Sequence, residues 1–113
     1  IEFPGHAAAL GQAGVDLILV PTANPAGFEH VQRRLVPARA HEADAVVAYA
    51  NLVGPEGDVT FGGMSVIVGP DGEPLASAGT RGEAVLIVDL AAAAAIPAPL
   101  RSEQRQEYRP ARA

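Results

Sequence analysis

The sequence contains no cysteine, no lysine and no tryptophan, and aromatic residues make up only 4% of its 113 residues. The absence of cysteine excludes disulfide bonds, thiolate metal sites and a cysteine nucleophile from this chain. Because lysine is absent, every basic residue is an arginine, and the formal net charge is -5. A surface that binds nucleic acid needs a clustered positive field, so this charge balance argues against one.

Long apolar runs are also missing. The longest, over residues 15–21 and 90–99, are too short to cross a bilayer, and no stretch has the pattern of a signal peptide. We therefore expect no membrane partner and a cytoplasmic setting. Hydrophobic residues make up 49% of the chain, which is enough for the core of one domain. The chain opens on Ile1 without a methionine, and we interpret this start as the interior of a longer protein.

The order of predicted elements indicates an α/β fold with a mixed sheet. Helices are predicted over 6–13, closed by Gly14, over 28–43 with a kink or restart at Pro37, and over 91–96. Strands are predicted over 16–20, ending at Pro21, and over 45–50, 64–68, 75–78 and 84–89, with turns at 54–58 and 69–74. The runs 16–20 and 45–50 are almost wholly apolar, which is typical of strands buried on both faces. The predicted helix 28–43 presents Val31, Leu35, Ala38 and Ala43 as its apolar residues.

The predicted domain covers residues 1–100, and residues 101–113 form a polar tail. The arginines of the tail alternate with Glu103 and Glu107, a pattern that predicts a solvated, self-paired segment. Those arginines are Arg101, Arg105, Arg109 and Arg112.

Few residues can be assigned a catalytic or metal-binding role from local sequence patterns. Ser65 has half of a G-x-S-x-G elbow but lacks the second glycine and precedes a strand, so we interpret it as a small polar strand residue. The three histidines, at positions 6, 30 and 41, have no metal-ligand spacing with acidic residues. Arg39 and Glu42 lie three apart on a predicted helix, and this spacing alone favours an ordinary surface ion pair.

Segments along most of the chain resemble one family in the correct order. Ile1-Glu2-Phe3-Pro4 resembles the run that follows the nucleophilic cysteine of carbon–nitrogen hydrolases, the nitrilase superfamily. Residues 16–24 resemble the strand and pocket loop that follow, and 36–42 resemble the family's Arg-Ala-x-Glu helix. Residues 47–54 and 61–72 resemble its next strand and its Gly-x-Ser strand with a hairpin turn.

This resemblance implies the C-terminal half of an α-β-β-α sandwich that uses a Glu-Lys-Cys triad and no cofactor. By register the cysteine would precede Ile1 by three positions, with the glutamate and lysine further upstream, so the chain alone would contain no catalytic residue. The substrate would be a small amide, N-carbamoyl compound or nitrile, and the complete protein a homo-oligomer. Thr22, Ala23 and Asn24 would bind substrate, and a buried Glu42 would support the site together with Arg39.

The sequence departs from the family at two positions, since Gly5 stands where glutamate is usual and Ala43 where asparagine is usual. Gly5 suits a second hypothesis, a binding or oligomerisation module that keeps the fold without the chemistry. Within the family, a nitrilase or an amidase domain that feeds ammonia to another enzyme remain alternatives. The third hypothesis is an unrelated small α/β binding domain.

Overall fold

The computed structural model describes residues 1–107, and its centre is a four-stranded mixed sheet with helices on one face. The helices are α1 (Pro4–Gln12), a π-helix (Val31–Leu35) that continues as α2 (Val36–Ala43), α3 (Leu90–Ala94), a 3-10 turn (Ala98–Leu100) and α4 (Gln104–Glu107). The strands are β1 (Leu17–Thr22), β2 (Val46–Asn51), β3 (Val53–Glu56), β4 (Val59–Gly62), β5 (Val66–Val68) and β6 (Pro74–Ser77). The predicted mixed α/β class is confirmed.

The central sheet has the strand order β1-β2-β5-β6. β1 and β2 are parallel, with Leu17 opposite Val46 and Thr22 opposite Asn51, and the remaining pairs are antiparallel. The prediction that the first strand stops at Pro21 is wrong, because β1 continues through it to Thr22. β1 pairs on one side only, and a proline that lacks an N–H is tolerated on such an edge strand.

The core lies between the sheet and the two helices α1 and α2. Ile18, Val47 and Val68 pack there against helix residues such as Val36 and Ala40. The prediction that the first strand is buried on both faces is wrong for the described residues. Leu19, on the opposite face of the sheet, is 70% exposed because the helices that pack on this sheet cover only the other face.

The second helical stretch restarts at Pro37, as predicted, through a turn of π-helix. The N–H of Val36 donates to the carbonyl of Val31, five residues earlier, before the α-helix proceeds. A π turn adds one residue and rotates the following face. Val36 and Ala40 are therefore buried, whereas the predicted Leu35 and Ala38 are only partly so.

Three predicted strand or turn assignments are corrected by the structure. Residues 54–58 belong largely to a hairpin, in which β3 and β4 are joined at Gly57 and Asp58. The strand predicted from Met64 begins only at Val66, because Met64 takes a φ of 56°. Residues 84–89 form no strand, since no described strand pairs with them. Asp89 instead caps α3, accepting from the N–H of Ala91 at 2.9 Å.

Residues 101–107 dock onto the fold, and Arg101 and Arg105 pair with Asp44, contrary to the prediction of a self-paired tail. Arg101 Nε donates to Asp44 Oδ1 at 2.7 Å, and Arg105 Nε lies 3.5 Å from Asp44 Oδ2. The hydrogen bond to Asp44 raises the pKa of Arg101 above its usual value. Asp44 presents its carboxylate from a left-handed residue (φ 50°) that ends α2. Arg109 and Arg112 lie outside the described residues.

Candidate functional site

The parallel strands β1 and β2 end side by side, at Thr22 and Asn51. Ligands of α/β sheets bind preferentially beyond the carboxyl ends of parallel strands. The predicted substrate-binding residues Thr22, Ala23 and Asn24 stand at this edge, where Ala23 is exposed and its two neighbours are partly buried. We therefore take the carboxyl edge of β1 and β2 as the candidate ligand-binding site.

The backbone of Asn24 is held on both sides by the carboxamide of Asn51. The N–H of Asn24 donates to Asn51 Oδ1 at 2.7 Å, and its carbonyl accepts from Asn51 Nδ2 at 3.1 Å. The same Nδ2 donates to the carbonyl of Gly63 at 2.9 Å. Ser65 Oγ accepts from the N–H of Asn51 at 2.9 Å. One side chain thus joins the loop after β1 to the segment before β5.

Gln32, which is 3% exposed, adds a second amide to this arrangement. Its Nε2 donates to the Gly63 carbonyl at 3.0 Å, and its Oε1 accepts from Asn24 Nδ2 at 3.0 Å. Gly63 and Met64 both have left-handed φ angles, 61° and 56°, and the second costs about 1–2 kcal/mol for a residue with a Cβ. This turn presents the Gly63 carbonyl to both amides. We call Asn24, Gln32 and Asn51 the amide cluster.

Tyr49 lies beside this cluster on the face that carries the helices. It is 3% exposed, and its side chain is hydrogen-bonded to Thr22. Burial raises the pKa of the Tyr49 phenol above its usual value, and the charge of Glu2 raises it further, although the Thr22 hydrogen bond opposes the shift.

Arg39 ties those first residues to α2. It is 6% exposed, and its Nε and Nη2 donate to the carbonyls of Ile1 and Glu2 at 3.1 and 3.0 Å. Its Nη1 lies 3.2 Å from both carboxylate oxygens of Glu42. Glu42 keeps 30% of its side chain exposed, so the pair is neither the buried carboxylate that the resemblance implies nor a free surface pair.

A cleft of about 640 Å³ borders the amide cluster. Asn51, Gly63, Met64 and Ser65 line one side of it, and residues 82–85 line another. Gly63 and Met64 of the strained turn are among its lining residues, whereas Thr22, Ala23 and Asn24 are not. The cleft therefore reaches the amide cluster through Asn51, one residue that both share.

Within residues 1–107 no group of histidines and acidic residues has the geometry to hold a metal ion. His41 contacts the Pro70 carbonyl through Nδ1 at 3.2 Å, and the Ser65 hydroxyl is engaged with the backbone of Asn51. Neither residue is arranged as part of a nucleophile–base pair. In the same part of the chain, no helix has the length and apolarity to span a bilayer.

The sequence analysis did not single out Asn51, Gln32 or Tyr49 as site residues. Asn51 ends a buried strand in the same way that Thr22 does, and this position is a signal that points to the carboxyl edge. Gln32 carries no such signal, since it lies within the π-helix Val31–Leu35, which the sequence analysis did not predict. Tyr49 reads as an ordinary strand residue until the pairing of β1 and β2 is known.

Comparison with known proteins finds one family along most of the chain. The carbon-nitrogen hydrolase family matches residues 1–99. A hydrolase in the pqqF 5' region of Pseudomonas protegens is 46% identical over 87 residues, which cover 77% of this chain and 30% of that protein. A glutamine-dependent NAD(+) synthetase of Xanthomonas campestris is 40% identical over 83 residues, covering 72% of this chain and 15% of that protein.

Among solved structures, a mutant amidase from Nesterenkonia sp. AN1 superposes with a TM-score of 0.69 and 46% identity, covering 72% of this chain and 31% of that one. That structure shows the acetamide moiety of fluoroacetamide added covalently at the active-site cysteine of the amidase. The chain therefore spans about a third of the length of the amidase and of the Pseudomonas hydrolase, and a smaller share of the synthetase.

Proposed function

Because this chain belongs to the carbon–nitrogen hydrolase family, we propose that it is part of an enzyme that hydrolyses small amides through a cysteine outside these 113 residues. One observation carries the proposal, namely the 46% identity and TM-score of 0.69 to an amidase whose cysteine forms a covalent adduct. The chain itself has neither cysteine nor lysine, so those two members of the proposed Cys-Glu-Lys triad lie in other residues of the protein, and we expect the glutamate there as well.

The proposed reaction is covalent catalysis in two steps. The cysteine sulfur attacks the amide carbon, the carbon–nitrogen bond breaks, and ammonia leaves with a proton delivered by the acid–base residues. Water then hydrolyses the thioester, which releases a carboxylic acid and restores the thiol. The oxyanion that forms in each step needs nearby donors, which the lysine and backbone N–H groups supply.

Within this proposal the chain supplies one wall of the substrate site. Thr22, Ala23 and Asn24 border the substrate, and the amide cluster fixes the loop that carries them. The Asn24 Nδ2 donates within the chain, to Phe28 and Gln32, so its role is to shape the loop. Thr22 is likewise engaged, by Tyr49, so the exposed Ala23 is left to touch the substrate. The acyl group is small, and the complete protein is a homo-oligomer.

A second candidate is an amidase domain that delivers ammonia to a synthetase. It is favoured by the 40% identity to a glutamine-dependent NAD(+) synthetase. The two candidates differ in substrate, because the synthetase-type domain takes glutamine whereas the first candidate takes simple aliphatic amides. We favour the aliphatic amides, since the higher identity and the structural match are to an amidase.

The complete reading frame that encodes this chain provides the test. We expect a cysteine codon three positions before Ile1, with glutamate and lysine further upstream. The purified product should release ammonia from acetamide or butyramide faster than from glutamine, and replacement of that cysteine by alanine should abolish the release. A reading frame without the cysteine, or a folded product with no activity on any amide, nitrile or N-carbamoyl compound, would instead support a non-catalytic binding or oligomerisation module.

A further inference from the structure

Arg39 makes an unusual set of contacts for a helical arginine. Its shortest hydrogen bonds among the described residues go to the backbone carbonyls of two consecutive residues, Ile1 and Glu2. These carbonyls lie 38 and 37 residues away in sequence. A surface ion pair would leave the guanidinium in water, whereas this one is 6% exposed. Its geometry is that of a clamp on the peptide that leads into α1.

The clamp is fixed at its other end by Glu42. Both carboxylate oxygens lie 3.2 Å from Nη1, so the acid balances the charge of the buried guanidinium and limits its rotation. Charge-assisted hydrogen bonds are shorter and stronger than neutral ones, and a planar guanidinium sets their directions. Ile1 also packs against the hydrophobic core. The position of residues 1–2 is thus determined by the hydrogen bonds from Arg39 and by the packing of Ile1.

α1 provides little of its own to hold this peptide. Phe3, its N-cap residue, makes no side-chain cap, and Pro4 at the first turn has no N–H. Gly5, the next residue, has no atom within 4 Å of where a Cβ would be, so nothing packs against it. Arg39 therefore supplies the polar contacts that fix how the chain enters α1, and Ile1 supplies the apolar ones.

We propose that Arg39 is a positioning residue for the nucleophile of the complete enzyme, acting through the carbonyls of Ile1 and Glu2. This inference rests on the proposed function, which places the cysteine three residues before Ile1. Three residues of extended chain span at most about 10 Å, so the clamp lies within that reach of the sulfur-bearing residue. A shift of about 1 Å in a reacting atom can lower a rate about 100-fold, which makes such a clamp kinetically important.

The test compares Arg39→Gln and Arg39→Lys in the complete protein with a matched control, Arg34→Gln. Arg34 lies on the same helical stretch and is exposed. For each variant, kcat and KM for butyramide, the rate at which iodoacetamide alkylates the cysteine, and the melting temperature are measured. We expect Arg39→Gln to lower kcat and the alkylation rate about 10- to 100-fold with KM nearly unchanged, and the control to match the wild type.

Arg39→Lys keeps the positive charge but replaces the planar guanidinium by a single ammonium group. Its kcat and alkylation rate should therefore lie between those of Arg39→Gln and those of the wild type. If Arg39→Gln does not fold, the kcat and alkylation rate of Arg39→Lys serve as the test in its place. Folded Arg39 variants with a lowered melting temperature but wild-type kcat and alkylation rate overturn the inference and leave the proposed function intact. A wild-type protein that folds and hydrolyses no amide contradicts the proposed function itself.

Discussion

The backbone N–H of Asn24 lies 2.7 Å from the carboxamide oxygen of Asn51, a residue 27 positions later in the chain. This contact joins the loop that follows β1 to the last residue of the neighbouring parallel strand, β2. With the return bond from Asn51 Nδ2 to the Asn24 carbonyl, it makes the loop after β1 a rigid part of the sheet edge. The shape of the candidate site therefore depends on the side chain of Asn51, which lines the cleft and links the loop after β1 to Gly63.

Replacing Asn51 tests this dependence. Asn51→Ala removes partners from the Asn24 N–H and from two carbonyls, and groups left unsatisfied in a partly buried place should destabilise the fold by about 2–3 kcal/mol. Urea unfolding followed by circular dichroism measures the change, and amide hydrogen exchange at Asn24 should accelerate. Thr60→Ala, at an exposed residue of β4, is the control. Unchanged exchange at Asn24 in Asn51→Ala would show that the loop is held by other means.

The contact between α1 and α2 leaves no room at Gly11. A Cβ there would lie 2.9 Å from both Cα and the carbonyl oxygen of Ala43, which are backbone atoms. Gly11→Ala should therefore destabilise the fold by about 1–3 kcal/mol despite the better helix propensity of alanine. Gly5→Ala, on the same helix with nothing within 4 Å, should be neutral or stabilising by up to about 1 kcal/mol. Equal melting temperatures for the two variants would contradict this packing.

Tyr49 gives the fold a dependence on alkaline pH. Its folded-state pKa is raised, mainly by burial, so the folded protein binds the phenolic proton more tightly than the unfolded chain does. Stability from this group is complete below the unfolded pKa of about 10 and is lost as the pH rises through the folded pKa. In a Tyr108→Phe background, tyrosinate absorbance should appear at a higher pH than in the urea-unfolded chain. Tyr49→Phe should flatten the alkaline loss of stability, and coincident titrations in the folded and unfolded states would refute the assignment.

The uncovered face of the sheet should make the isolated chain associate. Leu19 is 70% exposed on the face opposite the helices, and apolar strand faces of this kind promote aggregation. In the complete protein we expect further strands of the sandwich to cover it. Sedimentation velocity of Leu19→Lys should show less association than the wild-type chain. Leu10→Lys, at a leucine of α1 that is 42% exposed, should not. A wild-type chain that stays monomeric with a sharp, reversible melt would mean that it is a complete domain.

Much of the fold follows from local sequence signals. The paired apolar runs that become β1 and β2 and the Asp-Gly turn at Asp71 and Gly72 are predicted by residue type alone. Pro37 likewise marks the restart of the helix. Each of these features is set by backbone chemistry or by the period of apolar residues within a few positions.

The features that the sequence did not predict depend on distant partners. Residues 84–89 have the composition of a strand, but strands need a partner edge, and none lies beside them among residues 1–107. Arg101 and Arg105 form ion pairs with Asp44, more than 50 residues earlier, instead of with the neighbouring glutamates of the tail. The amide cluster likewise joins residues from three segments, so its existence emerges only when β1 and β2 are aligned.

We propose that this chain serves a cysteine hydrolase whose nucleophile lies just before Ile1, and fluoroacetamide should label that cysteine. The thiolate displaces fluoride and retains the acetamide group, as the Nesterenkonia amidase mutant shows for its own active-site cysteine. Peptide mass mapping of the complete protein should place one acetamide group on the cysteine three positions before Ile1, with loss of amidase activity in proportion. The 113-residue chain alone should take up no label and release no ammonia from butyramide above a matched blank. Amide turnover by that chain alone, or a complete enzyme inactivated through a label at any other position, would contradict the account.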